Sequence, residues 1–255
     1  MTPLALRHTR SKAFEIKFVV DREQGRRIRE AGRRILSPDP WGSGPALDEY
    51  QTTTVYFDTD QFDVYLRRGS YRRVKYRIRR YGQNDVVFLE RKLRTADVLS
   101  KRRTCLEIAE LDRLYAALDA TWPGRWFHER LSMRRLAPRC QVSYSRTARV
   151  GTTDCGPIRL TLDDDLSAGV ADSARFDDAA RAAILGDKTI VEMKFMTTMP
   201  AAFKRLVERF ALEPARLSKY RLGIDATHSV ASTEPDRDSF LQETSPDPAF
   251  TNETR

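Results

Sequence analysis

The sequence has little of what covalent or metal-centred catalysis requires. Its three cysteines, Cys105, Cys140 and Cys155, are scattered and odd in number, so they make no disulfide framework, and no CxxC or Cys/His cluster marks a zinc site. His8, His128 and His228 lack metal-ligand spacing and read as surface or core residues. No serine lies in a GxSxG context and no cysteine near a His motif, which leaves covalent catalysis without a candidate. Long hydrophobic runs are missing as well. Nothing approaches the roughly 18 apolar residues of a spanning helix, and the start, MTPLALRHTR, lacks the apolar stretch of a secretory signal. These absences predict a soluble, unprocessed chain in the reducing cytoplasm, with no direct membrane insertion.

Charge, by contrast, is abundant. The 255 residues carry 45 Lys+Arg against 36 Asp+Glu, a net charge of +9, which favours a polyanionic partner but says nothing about fold. From Ser229 onward the acids Glu234, Asp236, Asp238, Glu243, Asp247 and Glu253 face only Arg237 and Arg255, amid repeated Ser, Thr and Pro. Residues 229–255 therefore read as an acidic, disordered tail, and 1–228 as one folded domain with a net charge of about +13. With 40% hydrophobic side chains, that domain can bury one main core.

Alternation dominates the domain. Phe14-Glu15-Ile16-Lys17-Phe18 places Glu15 and Lys17 on one strand face and the apolar residues on the other. A helix follows from about Asp21, an N-cap, to Leu36; its arginines Arg26, Arg27, Arg29, Arg33 and Arg34 read as a solvated face. Further strands are expected at Tyr50–Asp58, where Tyr56 and Phe57 belong to the core and wall and Asp58 to a turn, and at Val74–Tyr81, Phe88–Lys92 and Lys101–Glu107. From Leu106 to Leu136 the pattern predicts helix, with Leu111, Leu114, Tyr115 and Leu118 facing the core. Strands return at Val142–Arg146, Ile158–Asp163 and Ile190–Phe195, before a last helix with Pro200 at N1 and a stripe of Phe203, Leu206, Val207 and Phe210. Seven or eight strands with helices outside imply a mainly antiparallel α+β barrel.

The polar strand faces are unusually uniform. Lys17, Lys75, Arg77, Arg79, Lys92, Arg146, Arg159 and Lys194 recur from strand to strand, with Lys101 and Arg103 in a further basic cluster. Glu15, Glu90 and Glu192 lie two residues from a base on the same faces. If the sheet closes, these faces converge on one lumen, where like charges repel unless an anionic ligand or water holds them. A polyphosphate meets that demand, since each phosphate offers oxygens to Arg forks and Lys ammonium groups. Carboxylates in such a site suit a divalent metal that bridges phosphate oxygens.

Glu15-Ile-Lys17, Thr54-Val-Tyr-Phe-Asp58-Thr59, Lys75-Tyr-Arg77-Ile-Arg79, Phe88-Leu-Glu90-Arg-Lys92, Val191-Glu192-Met-Lys194-Phe and Ser218-Lys219-Tyr220 resemble, in that order, the catalytic domain of the vacuolar transporter chaperone (VTC) polyphosphate polymerases, a branch of the triphosphate tunnel metalloenzymes. The resemblance runs from about Phe14 to Ile224. It implies an eight-stranded tunnel, helices packed outside, that moves the γ-phosphate of ATP onto polyphosphate with Mn²⁺ or Mg²⁺. Carried over by position, Lys17, Arg77, Arg79, Lys92, Arg146 and Arg159 would bind phosphates, as would a base in the Lys101 to Arg103 cluster, and Glu192 would ligate the metal; Lys75, Lys194, Lys101 and Arg103 join the phosphate-binding candidates from the shared strand faces. Lys219 would be the C-terminal lysine that grips phosphate. Glu15 and Glu90 are further ligand candidates, although a pairing with a lumen Arg explains Glu15 equally. Eukaryotic members of the family work attached to membrane proteins, so a membrane link here would need a separate partner.

One departure bears on the reaction. Hydrolytic tunnel enzymes often open with ExExK, whereas position 13 is Ala13. That favours the polymerase over an inorganic triphosphatase or nucleoside triphosphatase on the same tunnel. A non-catalytic module for polyphosphate or nucleic acid is a third reading. Nucleic acid is not expected, because Glu15, Glu90 and Glu192 would repel it on the very faces that carry the bases and no RNP-like aromatic pair is present.

Overall fold

A computed structural model describes residues 7–11, 14–95, 98–177 and 181–228. In chain order the elements are β1 (Arg7–Ser11), β2 (Phe14–Asp21), α1 (Arg22–Ile35), β3 (Ser37–Pro38), β4 (Glu49–Asp58), β5 (Val74–Tyr81), β6 (Val86–Thr95) and β7 (Val98–Glu107). There follow α2 (Arg125–Met133), β8 (Ala137–Thr153), β9 (Gly156–Val170), β10 (Ala182–Ala183), β11 (Lys188–Phe195), α3 (Ala201–Arg209) and α4 (Lys219–Thr227). The acidic tail expected after residue 228 lies outside the described residues.

The strands form one antiparallel sheet in the order β1-β7-β6-β5-β4-β8-β9-β11-β2, with β10 added to β9 and β3 to β8. This is the α+β architecture the alternation predicts, with one more strand on the main path than the eight expected. The addition is β1, whose segment Arg7-His8-Thr9-Arg10-Ser11 pairs with β7 and has no apolar alternation to announce it. The hydrogen-bonded ladder does not close between β1 and β2. Its two edges are nevertheless close, because Ser11 and Phe14 are only three positions apart in the chain, a separation of at most roughly 11 Å. Across that seam Lys92 on β6 reaches Glu15 on β2 at 3.6 Å. The sheet is therefore curled into a tunnel.

Strand alternation sorts the two faces. On β5, Val74, Tyr76 and Ile78 point outward and are buried, joining Val55 and Phe57 of β4, Val87 and Leu89 of β6 and Trp126, Phe127 and Leu131 of α2 in one apolar cluster. A second cluster packs Ile28 and Ala31 of α1 and Phe203 and Leu206 of α3 against Phe18, Leu160, Leu162, Val191 and Met193. Helices thus cover the outside of the sheet, and the charged alternates are left facing in.

Three sequence expectations change. The segment 106–136 is not one helix: a 3-10 turn at Ile108–Tyr115 gives way to irregular chain before α2. The run Trp122-Pro123-Gly124 breaks the helix, and three residues per turn bring only Leu111 and Leu114 inward. Tyr115 and Leu118 are exposed. Pro200 is the N-cap of α3, not its first residue. The α1 arginines also divide: Asp21 caps the helix as expected, accepting from the Gln24 amide at 2.7 Å, but only part of the basic face is solvated. Arg26 pairs in solvent with Glu23 and Glu30. Arg33 forks onto the fully buried Asp48 at 2.9 Å and Arg29 reaches Thr147 at 2.9 Å and Asp164, so both pin the helix to the sheet.

A bulge prepares the seat for α4. Between Ser143 and Ser145 of β8 the register with β9 slips by one residue, and Asp165 takes φ 52°. The extra residue reverses the phase of β9. Asp163 faces the tunnel before the bulge, and Leu166 and Ala168 join the apolar cluster with Cys140, Val142 and α4's Tyr220 and Ile224 after it. Helix α4 lies close on this concave seat. A Cβ at Gly223 would stand 2.8 Å from a Val142 methyl and 3.0 Å from the Cys140 sulfur. Alanine favours helix by about 0.8–1 kcal/mol over glycine, but overpacking costs about 1–3 kcal/mol, and both neighbours sit on a strand. Gly223→Ala is therefore expected to lower the urea midpoint by the equivalent of about 1 kcal/mol or more; a raised midpoint would show that α4 is not held this closely.

Candidate functional site

The lumen contains two ion networks. The first joins β2, β11, β9, β8 and α4. Lys17 and Glu192 are ladder partners, and the Lys17 ammonium stands 3.2 Å from Glu15 and 3.7 Å from Glu192. Lys219, the first residue of α4, bridges Asp163 at 2.6 Å and Glu192 at 3.0 Å. Arg146 forks onto the same Asp163 at 2.6 and 2.7 Å. Glu15 also meets Lys194 at 3.1 Å. Burial alone would raise the pKa of Glu192 and Glu15, but the surrounding bases win and hold both well below the ordinary carboxylate range. The same contest raises Lys219: burial opposes its charge, and Asp163 and Glu192 outweigh burial.

The second network is centred on Glu90, which is 1% exposed. Arg77 and Lys101 each approach it to 2.7 Å and Arg103 to 3.1 Å. Arg103 lies over the Phe88 ring, its guanidinium carbon 3.5 Å from the ring centre. Despite burial, these bases keep Glu90 ionised, its pKa well below the usual value.

Arg79 lies between the networks and belongs to neither. It is 6% exposed; its Nε donates to Thr54 Oγ1 at 3.1 Å, and among the described residues no carboxylate pairs with it. A buried, unpaired guanidinium is costly unless a counter-charge arrives. Lys75 is similar, donating only to the hydroxyl of Ser218, the N-cap of α4, at 2.8 Å. Burial and repulsion from Lys17, Lys92 and Arg77 push Lys75 down to about 7. Burial, opposed by Glu15 and reinforced by Lys194 and Lys17, brings Lys92 to about 8.

The depressed lysines predict a pH effect. A bound polyanion would restore the proton to each. Above about pH 7 for Lys75 and about pH 8 for Lys92, the free protein holds fewer protons than the complex, so binding takes up protons and weakens as pH rises. Tripolyphosphate affinity is expected to fall by roughly tenfold or more between about pH 6 and about pH 9. Calorimetry in buffers of different ionisation enthalpy would register the uptake; pH-independent binding without uptake would contradict it.

Every base singled out in the sequence thus has a place. Lys17, Arg146 and Lys219 lie in the first network, Arg77, Lys101 and Arg103 in the second, and Arg79 and Lys75 between them. Lys92 and Lys194 flank Glu15. Arg159, the ladder partner of Lys194, is bound to the buried Asp39 at 2.8 Å and to the Tyr50 hydroxyl at 2.7 Å. Two acids escaped the sequence reading. Asp163 shares a face with Arg159 and Thr161, so alternation carried its signal. Asp58, read as a turn residue, accepts from the amides of Thr59, Val64 and Tyr65 at 2.7–2.8 Å and from the Tyr220 hydroxyl. It ties the loop after β4 to α4, next to Lys219.

The carboxylates also allow a test of metal binding. Among the described residues no three His, Cys, Asp or Glu side chains converge to hold an ion alone. Glu15 and Glu192 nonetheless stand on either side of one ammonium, that of Lys17, and both are ionised. Two hard carboxylates of this kind, supplemented by phosphate oxygens, fit Mg²⁺ or Mn²⁺. Each of the two also has three cations around it, at 3.0–3.8 Å; the three on Glu90 are closer, at 2.7–3.1 Å, and hold it more tightly.

Comparison with known proteins agrees with this geometry. The profile of the family described as VTC domain matches residues 12–228. No curated protein matches the sequence. Among solved structures, a putative adenylate cyclase from Bacillus halodurans is similar at a TM-score of 0.50 and 17% identity, covering 82% of this chain and 95% of that one. A putative adenylyl cyclase from Hippeastrum, described as having a dominant triphosphatase activity, is similar at 0.45 and 16%, covering 84% and 96%. The PH1819 protein from Pyrococcus horikoshii follows at 0.44 and 12%, covering 83% and 99%. At these identities the likeness concerns fold alone.

Proposed function

The chain belongs to the VTC domain family, whose tunnel fold it has, and from that premise we propose that it is a polyphosphate polymerase, moving the γ-phosphate of ATP onto the end of a polyphosphate chain. The observation that carries this reading is the excess of bases over acids on the inner wall, with Arg79 buried and unpaired among the described residues. Such a wall is stable when a string of phosphates supplies the missing negative charge.

In the reaction a terminal oxygen of the chain attacks the γ-phosphorus of ATP, a new P–O–P link forms, the bond to the β-phosphate breaks, and ADP departs with the electron pair. The attacking phosphate oxygen is already ionised near neutral pH, so no general base is required. Catalysis then consists of alignment and charge stabilisation. Arg77 and Arg79 would face the transferred phosphoryl group, Lys17, Lys75, Lys92 and Lys194 its neighbours, and Lys219 would hold phosphate at the α4 end. Lys101, Arg103, Arg146 and Arg159 are assigned to the same wall. Glu90 sets the geometry of Arg77, Lys101 and Arg103 in this account, leaving Glu15 and Glu192 as the pair for Mn²⁺ or Mg²⁺, which would neutralise phosphate oxygens when bound.

Glu192→Gln is expected to raise the Mn²⁺ concentration for half-maximal activity by about tenfold or more. A variant with the wild-type metal response would remove Glu192 from the ligand pair. The function itself is tested by following the γ-phosphate of ATP into polymer or into free phosphate. Free thiols at Cys105, Cys140 and Cys155 suit a reducing compartment, and we read the protein as cytoplasmic. No described helix is long and apolar enough to cross a membrane.

A further inference from the structure

The wall between lumen and exterior is charged on both sides at one place. Lys92 and Lys101 are ladder partners on β6 and β7, and one step along the same pair, Arg91 faces Arg102. Alternation turns the two lysines in and the two arginines out. Like charges directly opposite each other weaken a ladder, and α2 adds another: Arg130. After burial, repulsion from Arg91 and Arg130 is what lowers the pKa of Arg102.

These arginines are positioned yet unpaired. Arg102 lies over the ring of Trp126 at 4.3 Å, and Trp126 is itself fixed by a 2.8 Å hydrogen bond to Thr104. The Nε atoms of Arg91 and Arg102 are buried without a hydrogen-bond partner. Among the described residues none of the three forms an ion pair. Glu129, the acid that acts on Arg102, is already engaged by Arg125 at 2.6 Å.

We propose that Arg91, Arg102 and Arg130 form an external phosphate-binding site that holds a stretch of polyphosphate outside the tunnel. The proposal rests on the polymerase reading for the identity of its ligand. Guanidinium forks match phosphate oxygens, and they are what this site offers: Trp126 is 6% exposed and buried under Arg102, leaving no ring here for a nucleobase to stack on. The site makes long chains bind more tightly than short ones through a second point of attachment.

The test compares wild-type protein with the triple variant Arg91→Gln, Arg102→Gln, Arg130→Gln in titrations with long-chain polyphosphate, tripolyphosphate and oligothymidylate. Long-chain affinity is expected to fall by about tenfold or more, as for the loss of charge-assisted hydrogen bonds, while tripolyphosphate, confined to the lumen, binds as before. The thermal midpoint without ligand should hold or rise, because repulsion is relieved. If the triple variant folds poorly, Arg130→Gln alone, on the exposed side of α2, is expected to weaken long-chain binding by about threefold. Unchanged long-chain affinity overturns the proposal, as does a loss confined to the oligonucleotide. Failure of wild-type protein to bind tripolyphosphate would instead count against the lumen assignment, and the long-chain comparison would still decide the external site.

Discussion

Arg79→Ala is expected to lower the rate of phosphoryl transfer by about 10²–10³-fold or more, the scale seen when one preorganised electrostatic donor is removed. The reason lies in what Arg79 lacks. Each base in the two networks already shares a carboxylate, so a phosphate would compete for it, whereas Arg79, which feels Glu90 only at a distance, is ion-paired with no acid among the described residues. In the proposed reaction its charge would be available where charge develops in the transition state. The fold should survive, since Arg79 forms no ion pair among the described residues and Glu90, which acts on it from a distance, keeps its three bonded bases. The check is single-turnover transfer from ATP alongside a thermal melt. Wild-type turnover in a folded variant would take Arg79 out of the site.

Glu90→Gln is expected to act oppositely, on stability first. Its buried carboxylate is the common partner of Arg77, Lys101 and Arg103, and an isosteric amide would leave these three half-buried cations facing one another and Arg79. Removing one member of a fully buried pair costs about 3–5 kcal/mol; with Lys101 and Arg103 about a third exposed, water screens the three bases and the expected loss is nearer about 2 kcal/mol. Tripolyphosphate should recover much of this loss by supplying the missing charge, so the ligand-induced rise in melting temperature is expected to be larger in the variant than in wild type. The sign with pH follows from the direction of the shift. The folded pKa of Glu90 is depressed, so its contribution is present above the unfolded value of about 4.3 and is lost as pH falls below that toward the folded pKa. The gap between wild type and Glu90→Gln should therefore be full at neutral pH and narrow in acid. Equal melting temperatures at neutral pH and low salt would show that Glu90 does not organise these bases.

The basic wall was legible in the sequence because a strand's period of two is hard to disguise: Lys75, Arg77 and Arg79 between Val74, Tyr76 and Ile78 can face inward only together. The same rule carried Asp163, whose role depends on partners 17 and 56 positions away, Arg146 and Lys219, and no local pattern names such partners. The bulge at Asp165 was hidden for a related reason. One inserted residue reverses a strand's phase without changing its composition, so the apolar seat of α4 emerges only once β8 and β9 are paired. β1 was missed because a short polar edge strand is specified by the strand it joins. The breakdown of the 106–136 helix, in contrast, was written in Trp122-Pro123-Gly124, and apolar spacing on either side masked it. Arg29 and Arg33 look like solvated helix charges until Asp164 and Asp48 are brought beneath them.

We propose that this tunnel passes phosphate to phosphate and not to water. The direct test is to incubate the purified protein with γ-labelled ATP and Mn²⁺ and to measure how the label divides between acid-precipitable polymer and free phosphate. Label is expected in a ladder of long anionic polymer, abolished by Arg79→Ala. Label released wholly as free phosphate, with no polymer at any time, would contradict it and make the protein a triphosphatase.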